Sequence, residues 1–449
     1  MTYEVWIGDQ HVGAFSIDVH PGFQNPALTF TYLDQWLSSD RSFQISPDLP
    51  LQRGPQTPPS HRTIFQAFDD AAPDSWGRRL IDADLRRKAK MRGERYKPPT
   101  EIDLLLHVPD ETRQGAVRFR KGEEFLSSEH GRATVHDLSR LVAAAQHFAA
   151  NGEVTEEVHN LIGVGSSPGG AQPKAWVRDE ANVMHLAKFP QTSDTYNVSA
   201  WELTTIKLQR RAGIQVQPSR TVSLGQDQSV FLTQRFDRAG ERRIPYMSFR
   251  SAFGITEREP LDYATLAGRV AAISGKPSAD ASELFMRAAL IVLVNNIDDH
   301  MRNHGLLHGG QGWRLAPSFD VNPSRHASPA TPLTPEDDPY DRDIRLLVHR
   351  ATDFRLTQAQ AVHRIRAVVE AVSYWRDDAL TSGVQADALE SMSPAFEGEN
   401  LRRAQELRAD SQAIIDLSGK APGSDESWVK SHTRRGRTVE GHHRRKPHS

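Results

Sequence analysis

The sequence predicts an α+β chain of two lobes, a mixed α/β N-lobe and a mainly helical C-lobe, with a small α/β subdomain at the N-terminus. Three observations carry this expectation. Tyr3-Glu-Val-Trp-Ile and Val12-Gly-Ala-Phe-Ser-Ile alternate with period two around Gly8-Asp-Gln-His, which is hairpin chemistry. A second strand-rich stretch runs from Ala175 to Gln234 around a single helix. From Leu261 the periodicity is helical, and Ser282 to Val294 is apolar almost all round, the pattern of a buried helix.

The subdomain is placed at residues 1–129. Phe30-Thr-Tyr-Leu reads as its third strand, Ile64 to Leu85 as a helix, and Arg113 to Gly122 as a further strand. The N-lobe, residues 130–245, opens with Thr134-Val-His-Asp, a capping-box pattern that starts a helix through about Ala150. A glycine-rich turn from Gly163 to Lys174 follows. Strands are expected over Ala175 to Arg178 and Val183 to Phe189, joined by the polar turn Asp179 to Asn182. A helix over Trp201 to Ala212 and a strand over Ser229 to Gln234 complete the lobe. In the C-lobe, residues 246–418, Leu356 to Tyr374 and Asn400 to Leu417 are amphipathic helices. Residues 419–449 turn to Gly, Ser and Pro and then to His442-His-Arg-Arg-Lys, and are expected to be a disordered basic tail.

The bulk composition excludes several function classes. The 449 residues, 38% hydrophobic and 25% charged, suit a globular protein of two or three domains. A formal net charge of −2 supplies no global basic field, so contact with nucleic acid would be local. Without cysteine there is no disulfide, thiol nucleophile or thiolate metal site. The start carries no basic-then-apolar leader, and the apolar run Ala288 to Val294 is far shorter than the roughly 20 residues a membrane span needs. A cytoplasmic protein with no membrane partner is expected.

The chemistry concentrates in Asn295-Asn-Ile-Asp-Asp-His-Met-Arg-Asn303. Asp298 to Asn303 is the Asp-x-x-x-x-Asn spacing of a kinase catalytic loop, where the Asp accepts the proton of an attacking hydroxyl and the Asn holds magnesium on nucleotide phosphates. Asp320, in Leu315-Ala-Pro-Ser-Phe-Asp-Val, follows as a second metal carboxylate. A metal-free acidic turn capping the preceding helix would need neither Asn303 nor Asp320, and only Asp298 has the right count. Asp299 is therefore the bystander, an outer-shell or a loop-holding residue. These parts predict a protein-kinase-like two-lobed fold.

Other parts follow in kinase order. The stretch containing Gly169 and Gly170 would let backbone amides approach phosphates, although a flexible surface loop has the same composition. It lacks the Gly-Lys-Ser/Thr ending of a P-loop. Lys188 shares a strand face with Met184 and Leu186, and nucleotide phosphates would give a lysine on an apolar face its reason. The alternative is a strand-end lysine with its head in water. Glu202, early in the next helix, is placed to pair with Lys188, or to favour the helix dipole. His300 stands two after the base, where it would reach phosphate or hydrogen-bond the loop. An Asp-Asp-His zinc cluster is disfavoured because adjacent side chains splay apart.

At these residues the sequence resembles the HipA family of bacterial serine/threonine kinases, the toxins of some type II toxin–antitoxin pairs. The resemblance rests on Ser167-Pro-Gly-Gly-Ala-Gln-Pro-Lys, His185-Leu-Ala-Lys-Phe-Pro, Thr233-Gln-Arg-Phe-Asp-Arg, Asn296-Ile-Asp-Asp-His-Met-Arg-Asn-His and Leu315-Ala-Pro-Ser-Phe-Asp-Val. Gln44-Ile-Ser-Pro-Asp-Leu-Pro-Leu and Phe68-Asp-Asp-Ala-Ala-Pro-Asp-Ser extend it into the subdomain, so that it covers about residues 44 to 323.

The resemblance implies a role for each. Lys188, Gly169, Gly170 and His300 would contact ATP; Gln234 and Phe236 would form the adenine hinge, with Asp237 just beyond. Asp298 would be the base, and Asn303 and Asp320 would bind Mg2+. Ser167, or Ser166 beside it, would be autophosphorylated, ejecting the phosphate loop, because a dianionic phosphoserine repels nucleotide. The implied protein substrate lies in translation, such as an aminoacyl-tRNA synthetase. The implied partner is a helix-turn-helix antitoxin, through which operator DNA would mainly be contacted. Asp299 and Arg302 depart from the small residue and lysine of the first-described member. A small-molecule phosphotransferase shares the Asp-x-x-x-x-Asn logic, and a non-catalytic co-repressor could keep the fold, although here all four polar catalytic positions are filled.

Overall fold

The computed structural model describes residues 1–18, 26–126, 133–165, 171–225, 227–255 and 261–407, with four short segments after residue 425. Ser166, Ser167, Gly169 and Gly170 lie outside the described residues, as does most of the region expected to be a disordered tail. The described pieces of that tail pair as antiparallel strands, Glu426–Val429 with His442–Arg445 and His432–Arg434 with Arg437–Val439.

Alternation builds the N-terminal sheet. Tyr3, Val5 and Ile7 of Thr2–Ile7, and Leu28, Phe30 and Tyr32 of Ala27–Tyr32, point to one buried face. Six antiparallel strands run in the order Pro55–Gln56, Ala27–Tyr32, Gln10–Asp18, Thr2–Ile7, Val117–Lys121, Glu124–Phe125. Gly8, at φ +61°, makes the first turn. Phe65, Phe68 and Phe119 close over the face, with Phe68 and Phe119 edge to face at 5.2 Å. Gly13 lets two strands approach: a Cβ there would stand 2.5 Å from Phe30 Cζ and from Thr31 O.

The helical stretch expected over Ile64 to Leu85 is split into Gln66–Asp69 and Ser75–Arg92, because Pro73 interrupts it and Asp74 caps the second helix by accepting from Gly77 N. Gly93, at φ +67°, ends it. Its Trp76 and Leu80 are buried with Phe148, Leu161, Ala187, Val230 and Leu232 in the N-lobe core. Trp76 Nε1 also donates to Lys174 O at 3.1 Å. The hydrophobic core thus runs across the expected boundary near residue 129.

The N-lobe sheet is antiparallel, in the order Lys174–Arg178, Met184–Lys188, Gln228–Gln234, Ser219–Gly225. Helix Val198–Arg211 packs on it through Leu203, Ile206 and Phe231. The Thr134/Asp137 capping box forms, ahead of helix Leu138–Asn151. Helix Glu156–Gly165 was not expected; it occupies the approach to the glycine-rich turn, and its Val158, Leu161 and Ile162 are buried at helical spacing.

In the C-lobe, Pro277 at the first helical turn starts the buried helix Pro277–Leu293 earlier than the expected Ser282. Its end is marked by Asn295 in the left-handed region (φ +49°), with Nδ2 donating to Ser324 O at 2.5 Å. Leu284, Phe285, Ala288 and Ile291 sit at the centre of a core shared with helices Tyr263–Ile273 and Gln358–Ser373. Strands Tyr246–Ser248, Gly305–His308 and Trp313–Leu315 form a small sheet beside them. Among the described residues, no helix is long and apolar enough to cross a membrane.

Candidate active site

A cavity of ≈ 470 Å³ is lined by Lys188, Glu202, Gln234, Phe236, His300, Asn303 and Asp320, together with Asp69, Asp74 and Arg78 of the N-terminal region. Strand Met184–Lys188 explains how Lys188 comes to be there. Ala187 faces the lobe core, so Leu186 and Lys188 on the alternate face turn to the cavity. Leu186, on the apolar face it shares with Lys188, is therefore a half-buried cavity wall.

Lys188 is 5% exposed and pairs with two carboxylates: Nζ lies 2.7 Å from Glu202 Oε1 and 2.5 Å from Asp320 Oδ1. Burial alone would depress its pKa, but the two carboxylates together raise it, so the ammonium stays charged. Glu202 is pushed up by burial. Asp320 is held down at about 2; burial opposes this, and Lys188 and Lys174 outweigh it. Asp320 also adopts φ +60°, a conformation costly outside glycine and concentrated at functional sites.

Lys174 was not singled out by the sequence. Strand register sets it directly opposite Lys188, and both are buried. Its Nζ lies 3.9 Å from Asp74 Oδ2, and burial lowers its pKa. Burial in turn raises Asp74 to about 6. Two facing lysines are tolerable because Asp74, Glu202 and Asp320 surround them. The only signal in the sequence is a lysine starting a strand whose partner strand ends in one.

The loop after helix Pro277–Leu293 presents Asp298 and His300 exposed and Asn303 8% exposed. Asn303 Nδ2 donates to Asp298 O at 2.9 Å, which folds the loop on itself and leaves the amide oxygen available. Asp299 turns the other way into the interior, where His304 and a Tyr263 hydroxyl bond hold its pKa low against burial. Arg302 reaches Asp69 at 3.7 Å, and Asp69 also pairs with Arg62 at 3.2 Å.

The expected hinge residues line the cavity. Phe236 stacks on Phe319 at 5.5 Å and leaves Gln234 at the strand end. Asp237 is committed elsewhere: its carboxylate accepts from Gly115 N at 2.5 Å and pairs with Arg235 and Arg238. It ties the end of strand Gln228–Gln234 to the N-terminal region, and sequence reading missed that brace because Gly115 lies 122 residues away.

Residues 166–375 match the HipA-like C-terminal domain, and residues 3–120 match the HipA N-terminal domain. The chain belongs to the HipA family. HipA of Shewanella oneidensis MR-1, solved with HipB and its operator DNA, superposes with a TM-score of 0.61 at 16% identity, over 90% of this chain and 96% of that one. At that identity the likeness establishes the fold, which is the two-lobed, kinase-like one expected. The Helicobacter pylori proinflammatory kinase CtkA matches at a TM-score of 0.41 and 12% identity, over 54% of this chain and 90% of that one.

A HipA-family site of this kind implies a magnesium ion. The donors fit: Asp320 is a carboxylate kept ionised, Asn303 offers an amide oxygen into the same cavity, and both are hard oxygen ligands that leave room for phosphate and water.

Proposed function

We propose that this HipA-family chain is an ATP- and Mg2+-dependent protein serine/threonine kinase. The observation that carries the reading is the ion cluster of Lys188 with Glu202 and Asp320, in one cavity with Asn303 and the hinge residue Gln234. Buried charges are expensive, and a cluster open to a cavity has a ready use in neutralising triphosphate. Lys188 would move from Asp320 to phosphate oxygens when nucleotide enters, with Glu202 keeping its ammonium in place. Asp298 would accept the hydroxyl proton of a serine or threonine as its oxygen attacks the γ-phosphorus, and the bond to the ADP oxygen breaks. Asn303 and Asp320 would hold a magnesium ion, which would supply charge neutralisation on the phosphates. His300, beside the base, would add a hydrogen bond to phosphate.

The remaining roles follow the family. The substrate would be a translation component such as an aminoacyl-tRNA synthetase, in the cytoplasm. Ser167 or Ser166 would be autophosphorylated with Gly169 and Gly170 in the phosphate loop. The Shewanella relative was solved with HipB and operator DNA, which supports an antitoxin partner here, with DNA reached through it.

The test is incubation of the purified protein with magnesium and ATP, followed by peptide mass measurement. Phosphate on the peptide containing Ser166 and Ser167, absent in Asp298→Ala, upholds the reading. ATP consumption only with a small hydroxylated metabolite, or ATP binding without transfer, overturns it.

A further inference from the structure

The residue beside the expected base has no business in the cavity, yet it is the best-satisfied carboxylate in the loop. Asp299 is 6% exposed; its Oδ2 accepts from the Tyr263 hydroxyl at 2.6 Å, and its Oδ1 lies 2.9 Å from His304 Nε2. The Tyr263 hydroxyl is also 3.1 Å from that nitrogen, which closes a three-membered network. His304 follows Asn303 as Asp299 follows Asp298, so one buried network grips both ends of the segment that displays the base and the metal amide.

The grip is anchored in rigid structure. Tyr263 is fully buried and begins helix Tyr263–Ile273, whose Leu266, Ala267 and Val270 lie in the C-lobe core. Thr331 Oγ1 donates to Asp299 O at 2.6 Å, and Arg342 Nη2 to Asn296 O at 3.0 Å, which holds the loop backbone. A buried carboxylate that loses a partner is costly, so the network has one low-energy arrangement and transmits it to its neighbours.

We infer that Asp299, His304 and Tyr263 are positioning residues for phosphoryl transfer: they set the loop so that Asp298 and Asn303 present to a common site. The inference rests on the kinase reading of that loop. It differs from a packing role in what it spares, because nucleotide held by Lys188 and Gln234 does not depend on the network.

Tyr263→Phe and Asp299→Asn, both near-isosteric, test it. The expected result is a kcat lowered about 10- to 100-fold, the cost of a misplaced catalytic group, with KM for ATP and magnesium-free nucleotide affinity within about twofold of wild type. Tyr263→Phe carries the test if Asp299→Asn does not fold. Wild-type kcat in a folded variant overturns the inference, as does a parallel loss of kcat and nucleotide affinity. Hydrogen exchange over residues 296–304 separates this inference from the kinase reading. If the wild-type protein transfers no phosphate, exchange at least about tenfold faster in the variants upholds the brace while the kinase reading falls, and unchanged exchange overturns the brace.

Discussion

Lys174 lies directly opposite Lys188 across adjacent N-lobe strands, and both ammonium groups are buried. Their surroundings differ. Lys188 holds two carboxylates at 2.7 and 2.5 Å, whereas Asp74 is 3.9 Å from Lys174. Lys188→Met therefore strands Glu202 and Asp320 and is expected to cost about 3–5 kcal/mol in urea denaturation. Lys174→Met should cost clearly less at neutral pH, because Asp74, already at about 6, can take up a proton.

Asp74 makes a pH prediction with a definite sign. Its folded pKa of about 6 lies above its ordinary 3.8, so the folded state binds the extra proton between those values. Stability from this group is therefore greatest near pH 4, falls as pH rises to about 6, and is flat beyond. Asp74→Asn, which keeps the helix cap, should gain on the wild type by at most about 3 kcal/mol across that interval. Urea denaturation at stepped pH measures the difference; a pH-independent difference would contradict the burial of this carboxyl.

Trp76 belongs by sequence to the N-terminal region and by packing to the N-lobe. Trp76→Ala should destabilise the chain by about 3–5 kcal/mol, read by thermal or urea unfolding. A chain beginning at residue 130 loses both Trp76 and Leu80 from that core and should show no cooperative melting.

Asp237 is 2% exposed between Arg235, Arg238 and Gly115 N, and the arginines hold it ionised against burial. Asp237→Asn leaves the buried guanidinium of Arg235 and the partly buried one of Arg238 short of a counter-charge. The expected cost is about 3 kcal/mol, with weaker nucleotide binding as the hinge loosens from the N-terminal region. Calorimetric unfolding together with nucleotide titration checks both.

The local parts of the molecule were legible because their causes are local. Hairpin alternation around Gly8, the Thr134/Asp137 capping box and the all-round apolar helix before Asn295 each follow from neighbours within a few turns of chain. The helix Glu156–Gly165 escaped because Gly163 and Gly165, which form its last turn, read as the start of the glycine-rich turn. The start of Ser75–Arg92 was displaced because Pro73 and Asp74 outweigh the apolar residues before them.

For the candidate site, spacing alone singled out Asp298, Asn303 and Asp320, since a loop of fixed length brings its own ends together. It also marked Lys188, whose place on an alternating strand is a matter of period two. Tertiary structure decided everything that depends on register or distant contact. Pairing of two strands set Lys174 against Lys188, and the closing of the lobes brought Asp320 to the same ammonium. Helix Tyr263–Ile273 gave Asp299 its partner, and the N-terminal region supplied Asp69 and Asp74 to the cavity wall. A buried charge is stable only with its partner in place, and no count along the chain can say which remote residue that partner is.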